Sequence, residues 1–101
     1  MSERAMAGWH TQMASYLEAG LPLLGALEAV GGAAARACRG MAARLEAGES
    51  FEAALAEAPR WLKNDERLLL AAASRQGRLP DAFRRLAERR EAMGKAQGKL
   101  A

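Results

Sequence analysis

Leu17-Glu18-Ala19-Gly20-Leu21-Pro22-Leu23-Leu24 sets a glycine behind a helix-like run and a proline two residues further on, and the same punctuation returns twice. Gly48 is followed by Glu49-Ser50 and Gly77 by Arg78-Leu79-Pro80, so the three glycines stand 28 and 29 residues apart. Glycine enters the left-handed conformation that ends a helix without a Cβ clash, while Pro22, Ser50 and Pro80 favour the start of the next helix. An apolar residue follows each glycine at nearly the same offset: Leu27, Leu55 and Phe83. The spacing predicts three successive helical hairpins, closed into a bundle. An open solenoid is disfavoured, because helical-hairpin repeats run nearer to about 34–47 residues and these units share only their turn punctuation.

Composition points the same way. The chain has 101 residues, room for one domain, and half of them are apolar although only 5% are aromatic. Its core must therefore be built from small side chains and closely approaching helices. Val30 is the only valine, Thr11 the only threonine, and isoleucine is absent. With strand formers this scarce, the fold class is all-α.

Helical periodicity then fills in the elements. The first helix is expected from about Gly8 to Ala19, with Trp9, Met13, Tyr16 and Leu17 inward and Gln12, Ser15 and Glu18 outward. The second opens at Pro22 and ends at Gly31-Gly32. The third spans about Ala33 to Ala47, the fourth runs from Phe51 to before Pro59, and Trp61 and Leu62 plug the connector that follows. Asn64 is expected to cap the fifth helix, with Asp65 and Glu66 in its first turn. From Leu68 to Ala73 that helix is apolar all round, which fits either the most buried helix or an interface; burial is the favoured reading. The sixth opens at Pro80, packs through Phe83, Leu86, Ala87 and Met93, and runs on into Gly94–Lys99, where little apolar surface remains. The expected division is a flexible segment 1–8, a helical domain 9–93 and a protruding basic end 94–101.

Chemistry is sparse. Cys38 is the only cysteine, so no internal disulfide or four-thiolate zinc site can form, and it reads as a small buried apolar residue. His10, the only histidine, lies near the start of the chain. No metal-binding histidine pair, nucleophile elbow, phosphate loop or dinucleotide fingerprint is present, so neither catalysis nor a cofactor or metal is expected. Met1–Gly8 lacks the apolar run of a signal peptide, and the longest apolar stretches fall well short of the roughly 20 residues that cross a bilayer. The chain as given reads as soluble.

Charge is uneven. The whole chain carries +3, whereas from Arg75 onward eight basic residues face only Asp81, Glu88 and Glu91. Such a basic final helix fits nucleic-acid contact, the cytoplasmic flank of a membrane span, or plain solvation. Interspersed acids and the lack of exposed aromatic residues disfavour nucleic acid. Arg84, Arg85 and Arg89 are the candidate partner-binding residues, chosen on charge alone. Leu21, Leu70 and Met93 are candidate self-association contacts if the core leaves them uncovered.

Three stretches taken together resemble the F domain of bacterial type II secretion platform proteins, a family that includes the inner-membrane platform of type IV pili. They are Leu17 to Glu28, Leu45-Glu46-Ala47-Gly48-Glu49-Ser50-Phe51-Glu52-Ala53-Ala54-Leu55 with Pro59 beyond it, and Gln76-Gly77-Arg78-Leu79-Pro80-Asp81-Ala82-Phe83. The family-motif positions are Gly20, Pro22, Leu27, Gly48, Leu55, Pro59, Gly77 and Leu79. The resemblance implies an antiparallel six-helix bundle, a non-enzymatic domain on the cytoplasmic face of the inner membrane, commonly a homodimer, that links an assembly ATPase and other platform components to pilin-like subunits. It also implies that the 101 residues are either one domain of a parent protein with membrane helices or the soluble head of a shortened member, the basic end leading toward a membrane segment. Where relatives carry Gly-Glu ahead of the last glycine, this chain has Ala73-Ser74, so no cation site is carried over. The alternatives are a small helical DNA-binding regulator or a stand-alone adaptor.

Overall fold

A computed structural model describes residues 3–100, and the side chains of 6–95. The start and the basic end therefore lie partly outside the described residues. Six α-helices follow in order, α1 (Glu3–Glu18), α2 (Leu23–Ala29), α3 (Ala35–Glu46), α4 (Phe51–Ala54), α5 (Asn64–Gln76) and α6 (Leu79–Leu100), with 3₁₀ turns at Gly32–Ala34 and Leu55–Glu57. Among the described residues there is no strand.

The three glycines do one identical job. Gly20, Gly48 and Gly77 have φ of +97°, +89° and +70°. Each donates its N–H to the carbonyl three residues back (Leu17, Leu45, Ser74), and the next residue donates to the carbonyl five back (Tyr16, Arg44, Ala73). This is the paired hydrogen-bonding pattern that satisfies the last carbonyls of a helix, and it needs a left-handed residue at the bend. A new helix then starts from Pro22, Ser50 or Arg78, whose carbonyl accepts the first intrahelical bond, from Ala26, Ala54 or Ala82. Ser50 Oγ also accepts from the Ala53 N–H at 3.0 Å.

Counted from those starting residues, Leu27, Leu55 and Phe83 each fall at the fifth position, and all three are buried. The uneven glycine offset is thus absorbed at the third turn. There α6 starts at Leu79, one residue earlier than expected, and Pro80 is its second helical residue, where a missing N–H costs nothing.

α1 packs mainly on α6, α2 on α3, and α5 on α6, while α4 bridges α3 and α5. Trp9, Met13, Leu27, Val30, Met41, Leu70 and Phe83 make the fully buried centre. The ring of Trp9 meets the edges of Phe83 and Trp61 at centroid distances of 5.4 and 5.7 Å. Leu62 is buried and Trp61 half-buried, so the connector plugs the bundle against α1. Gln12 is not simply outward: it clamps the α2–α3 turn by two hydrogen bonds to Gly31, at 2.9 and 3.0 Å. Arg39 likewise donates to the carbonyls of Leu27 and Val30 at the end of α2.

Several boundaries differ from expectation for identifiable reasons. α1 begins at Glu3 rather than Gly8, because α6 covers Met6 and Ala7 and supplies the burial that local periodicity lacks. The fourth helix tightens to 3₁₀ geometry at Leu55 ahead of Pro59. Lys63, not Asn64, is the N-cap of α5, and its backbone N–H is satisfied by the Glu66 carboxylate at 3.0 Å. α5 is not buried all round: Leu70, Ala71 and Ala73 face the core, while Leu68 and Leu69 are exposed.

Candidate functional site

Glu66 is the third residue of α5 and reaches back to the N-cap amide, so its carboxylate is fixed by the helix start itself. From α6, Arg90 meets it in a fork: Nε lies 2.9 Å from Oε2, and a second guanidinium nitrogen donates to Oε1. Both side chains are almost wholly buried. The Arg90 guanidinium also lies over the Trp61 ring, 5.0 Å from its centroid, and 3.0 Å from the Met6 sulfur. His10 of α1 completes the cluster with Nε2 3.4 Å from Glu66 Oε2. Three helices are therefore tied together by one buried ionic group.

Its electrostatics suit a brace better than a reaction. Burial pushes the Glu66 carboxyl upward, but the neighbouring His10 ring together with hydrogen bonds from Arg90 and the Lys63 amide outweighs it and holds the group down at about 2. Burial is also the main influence on His10, lowering it below the ordinary histidine value so that the ring is neutral. The Cys38 thiol is pushed up to about 11 by burial, which removes its nucleophilic form at neutral pH. A carboxylate already holding an arginine fork and an amide, with no exposed face, is poorly placed to take a proton from a substrate.

The arginines chosen on charge are not equivalent. Arg84 bridges to Glu18 of α1 at 2.7 Å and lies 3.3 Å from Ser15 Oγ, so it joins α6 to α1. Arg89 lies 3.4 Å from Asp65 across the α5–α6 contact. Arg85 is exposed and makes no ion pair within 4 Å among the described residues. It lines a groove with Leu69, Ala72 and Arg78. Asp81 and Arg85 stand four residues apart on α6, as do Glu91 and Lys95, yet neither pair closes within that distance.

Of the proposed self-association contacts, Leu70 is fully buried and drops out, Met93 is half-buried, and Leu21 is 37% exposed. Sequence reasoning missed the exposure of Leu68, the most exposed large apolar residue described, by favouring burial for the whole Leu68–Ala73 run. It also missed the buried cluster. The available signal was Glu66 three residues after Lys63, the spacing of a carboxylate that closes a helix start.

The family-motif positions lie where turns and core meet. Leu27, Leu55, Pro59 and Leu79 are buried, Pro22 is the N-cap of α2, and the three glycines form the bends. Ala73 is buried and its carbonyl accepts from the Arg78 N–H, while Ser74 is half-buried.

These features define an all-helical domain built around turns and surfaces rather than a reactive pocket. Over residues 9–101 the chain matches the model of the type II secretion system (T2SS) protein F family and belongs to that family. Its members are structural platform proteins of secretion systems, not enzymes, and the platform is an inner-membrane one. No curated protein matches the chain. Among the described residues, no helix is long and apolar enough to cross a membrane.

Proposed function

We propose that this domain acts as the cytoplasmic, non-enzymatic part of an inner-membrane platform in type II secretion or type IV pilus assembly. It couples the assembly ATPase to pilin-like subunits through protein–protein contacts, and it pairs with a second copy of itself. The family match over residues 9–101 carries this reading. Three identical glycine turns at Gly20, Gly48 and Gly77 support reading the six helices as three antiparallel hairpins.

The ATPase-facing surface in this reading is the outward side of α6, with Arg84, Arg85 and Arg89. Arg85 is the one of the three with no ion-pair partner among the described residues, so it can engage an acidic partner without breaking an internal bridge. A direct binding measurement between the domain and the assembly ATPase tests the proposal. Micromolar binding that is abolished by joint charge reversal at Arg84, Arg85 and Arg89 is expected. Absence of binding by the unaltered domain, or undiminished binding by the reversed one, sinks it.

A further inference from the structure

Leu68 and Leu69 form the outer ridge of α5, 72% and 40% exposed. A concavity lies on each flank. Toward α6 it has a volume of about 130 Å³, with buried Ala73 and Ala82 at its base and exposed Arg78 and Arg85 beside it. Toward α4 it has a volume of about 350 Å³, and there Leu55, Leu68 and Ala71 meet Arg67 and Arg75. Around the ridge, four guanidiniums face only two carboxylates, those of Glu52 and Asp81. Arg67 is held by the Leu55 carbonyl and Arg75 by Glu52, whereas Arg78 and Arg85 have no ion-pair partner among the described residues.

We propose that this face of α5 seats a short acidic amphipathic helix of a partner protein. The apolar side of that helix lies on Leu68, Leu69 and Ala72, and its carboxylates meet Arg78 and Arg85. Arg78 and Arg85 are seven residues apart, about two helical turns, so a helix with acids at the same interval satisfies both.

Charge selects this occupant. A second copy would bring the same arginine-rich rim against itself, and like charges across a self-complementary contact oppose it. An anionic membrane presents a broad surface that does not follow the concavities on the two flanks of the ridge. A narrow apolar helix flanked by acids fits the grooves and the rim together. The inference rests on the platform reading for the source of the helix, while the surface chemistry stands independently of it.

The test uses a labelled synthetic peptide of about 15 residues, four helical turns, with leucines on one face and glutamates flanking them. A control peptide carries lysine in place of each glutamate. Fluorescence polarisation at low salt is expected to show binding of the acidic peptide only, with amide shifts of the ¹⁵N-labelled chain concentrated between 68 and 85. Leu68→Ser should weaken it, and the R78E/R85E variant should lose about tenfold in affinity or more, the usual scale for uncoupling a close interfacial charge pair. Both variants change exposed side chains, and a circular dichroism spectrum confirms that they fold.

Equal binding of the lysine peptide, shifts elsewhere on the chain, or stronger association with phosphatidylglycerol vesicles than with the acidic peptide overturns the proposal. So does dimerisation abolished by Leu68→Ser without peptide binding. Failure of the unaltered chain to bind the acidic peptide while it still binds the ATPase rejects this inference alone. Peptide binding without ATPase binding rejects the platform reading alone.

Discussion

Glu66–Arg90 and Glu18–Arg84 are the same chemical pair in two settings, each joining α6 to another helix. The first is sealed between α1, α5 and α6 beneath Trp61; the second lies open on the α1–α6 seam. Buried, the fork stands in a low-dielectric site where either charge without its partner is very unfavourable, so the pair dictates one arrangement of three helices. On the surface, water screens the charges and two long side chains must be immobilised to meet, which leaves little net gain. Identical residues thus act as a keystone in one place and as an optional contact in the other. Burial decides which.

Breaking the keystone should give the largest effect. Arg90→Met leaves the Glu66 carboxylate buried beside a neutral histidine, and the loss of stability should be about 3–5 kcal/mol, the usual cost of stranding one member of a buried pair. Urea unfolding followed by circular dichroism measures it. Removing both charges in E66L/R90M should recover much of that loss, because an apolar pair has no desolvation to offset. It should not recover all, since the Lys63 amide at the start of α5 then loses its acceptor, worth about 1 kcal/mol. A double variant as unstable as Arg90→Met would show that packing under Trp61, not charge, holds this region.

That contrast also explains which parts of the molecule were legible in the sequence. Turns are local: Gly20, Gly48 and Gly77 carry their conformational reason in their own backbone, so the bends, the helices between them and the buried Leu27, Leu55 and Phe83 followed directly. The family resemblance rested on the same residues. Arg90 and Glu66 are 24 positions apart, and His10 lies on a third helix, so their meeting depends on how helices dock. Counting Arg90 among the basic residues after Arg75 therefore treated a buried group as surface charge. The same limit misjudged Leu68 and Leu69: an uninterrupted apolar run shows what a helix could bury, and only its neighbours determine which side they cover.

Acid sharpens the comparison next. Glu66 has a folded value near 2 against 4.5 for the free side chain, and His10 is lowered from 6.5. In both cases the folded chain binds its proton less readily than the unfolded chain does, so stability falls as pH falls. His10 contributes from about pH 6.5 downward. Glu66 contributes from about 4.5 toward 2. Urea midpoints between pH 7 and 3 should decline in those two stages, with Glu66→Gln flattening the lower one and His10→Asn the upper. A midpoint independent of pH across this range would contradict the keystone assignment.

The open pair should respond least. Glu18 is held below the ordinary carboxylate value first by its hydrogen bond from Arg84, so Arg84→Ala should return the Glu18 carboxyl upward while leaving the unfolding midpoint unresolved from that of the parent chain. A carbon-detected NMR titration reads the carboxyl directly, and added salt should shrink the difference between parent and variant because both partners are reached by solvent. The two readouts matter together. A perturbed Glu18 with unchanged stability means that Arg84 can leave its bridge for an acidic partner at little cost, which the proposed ATPase contact requires. A clear drop in stability would instead make Arg84 a structural tie between α1 and α6 and confine the partner surface to Arg85 and its neighbours.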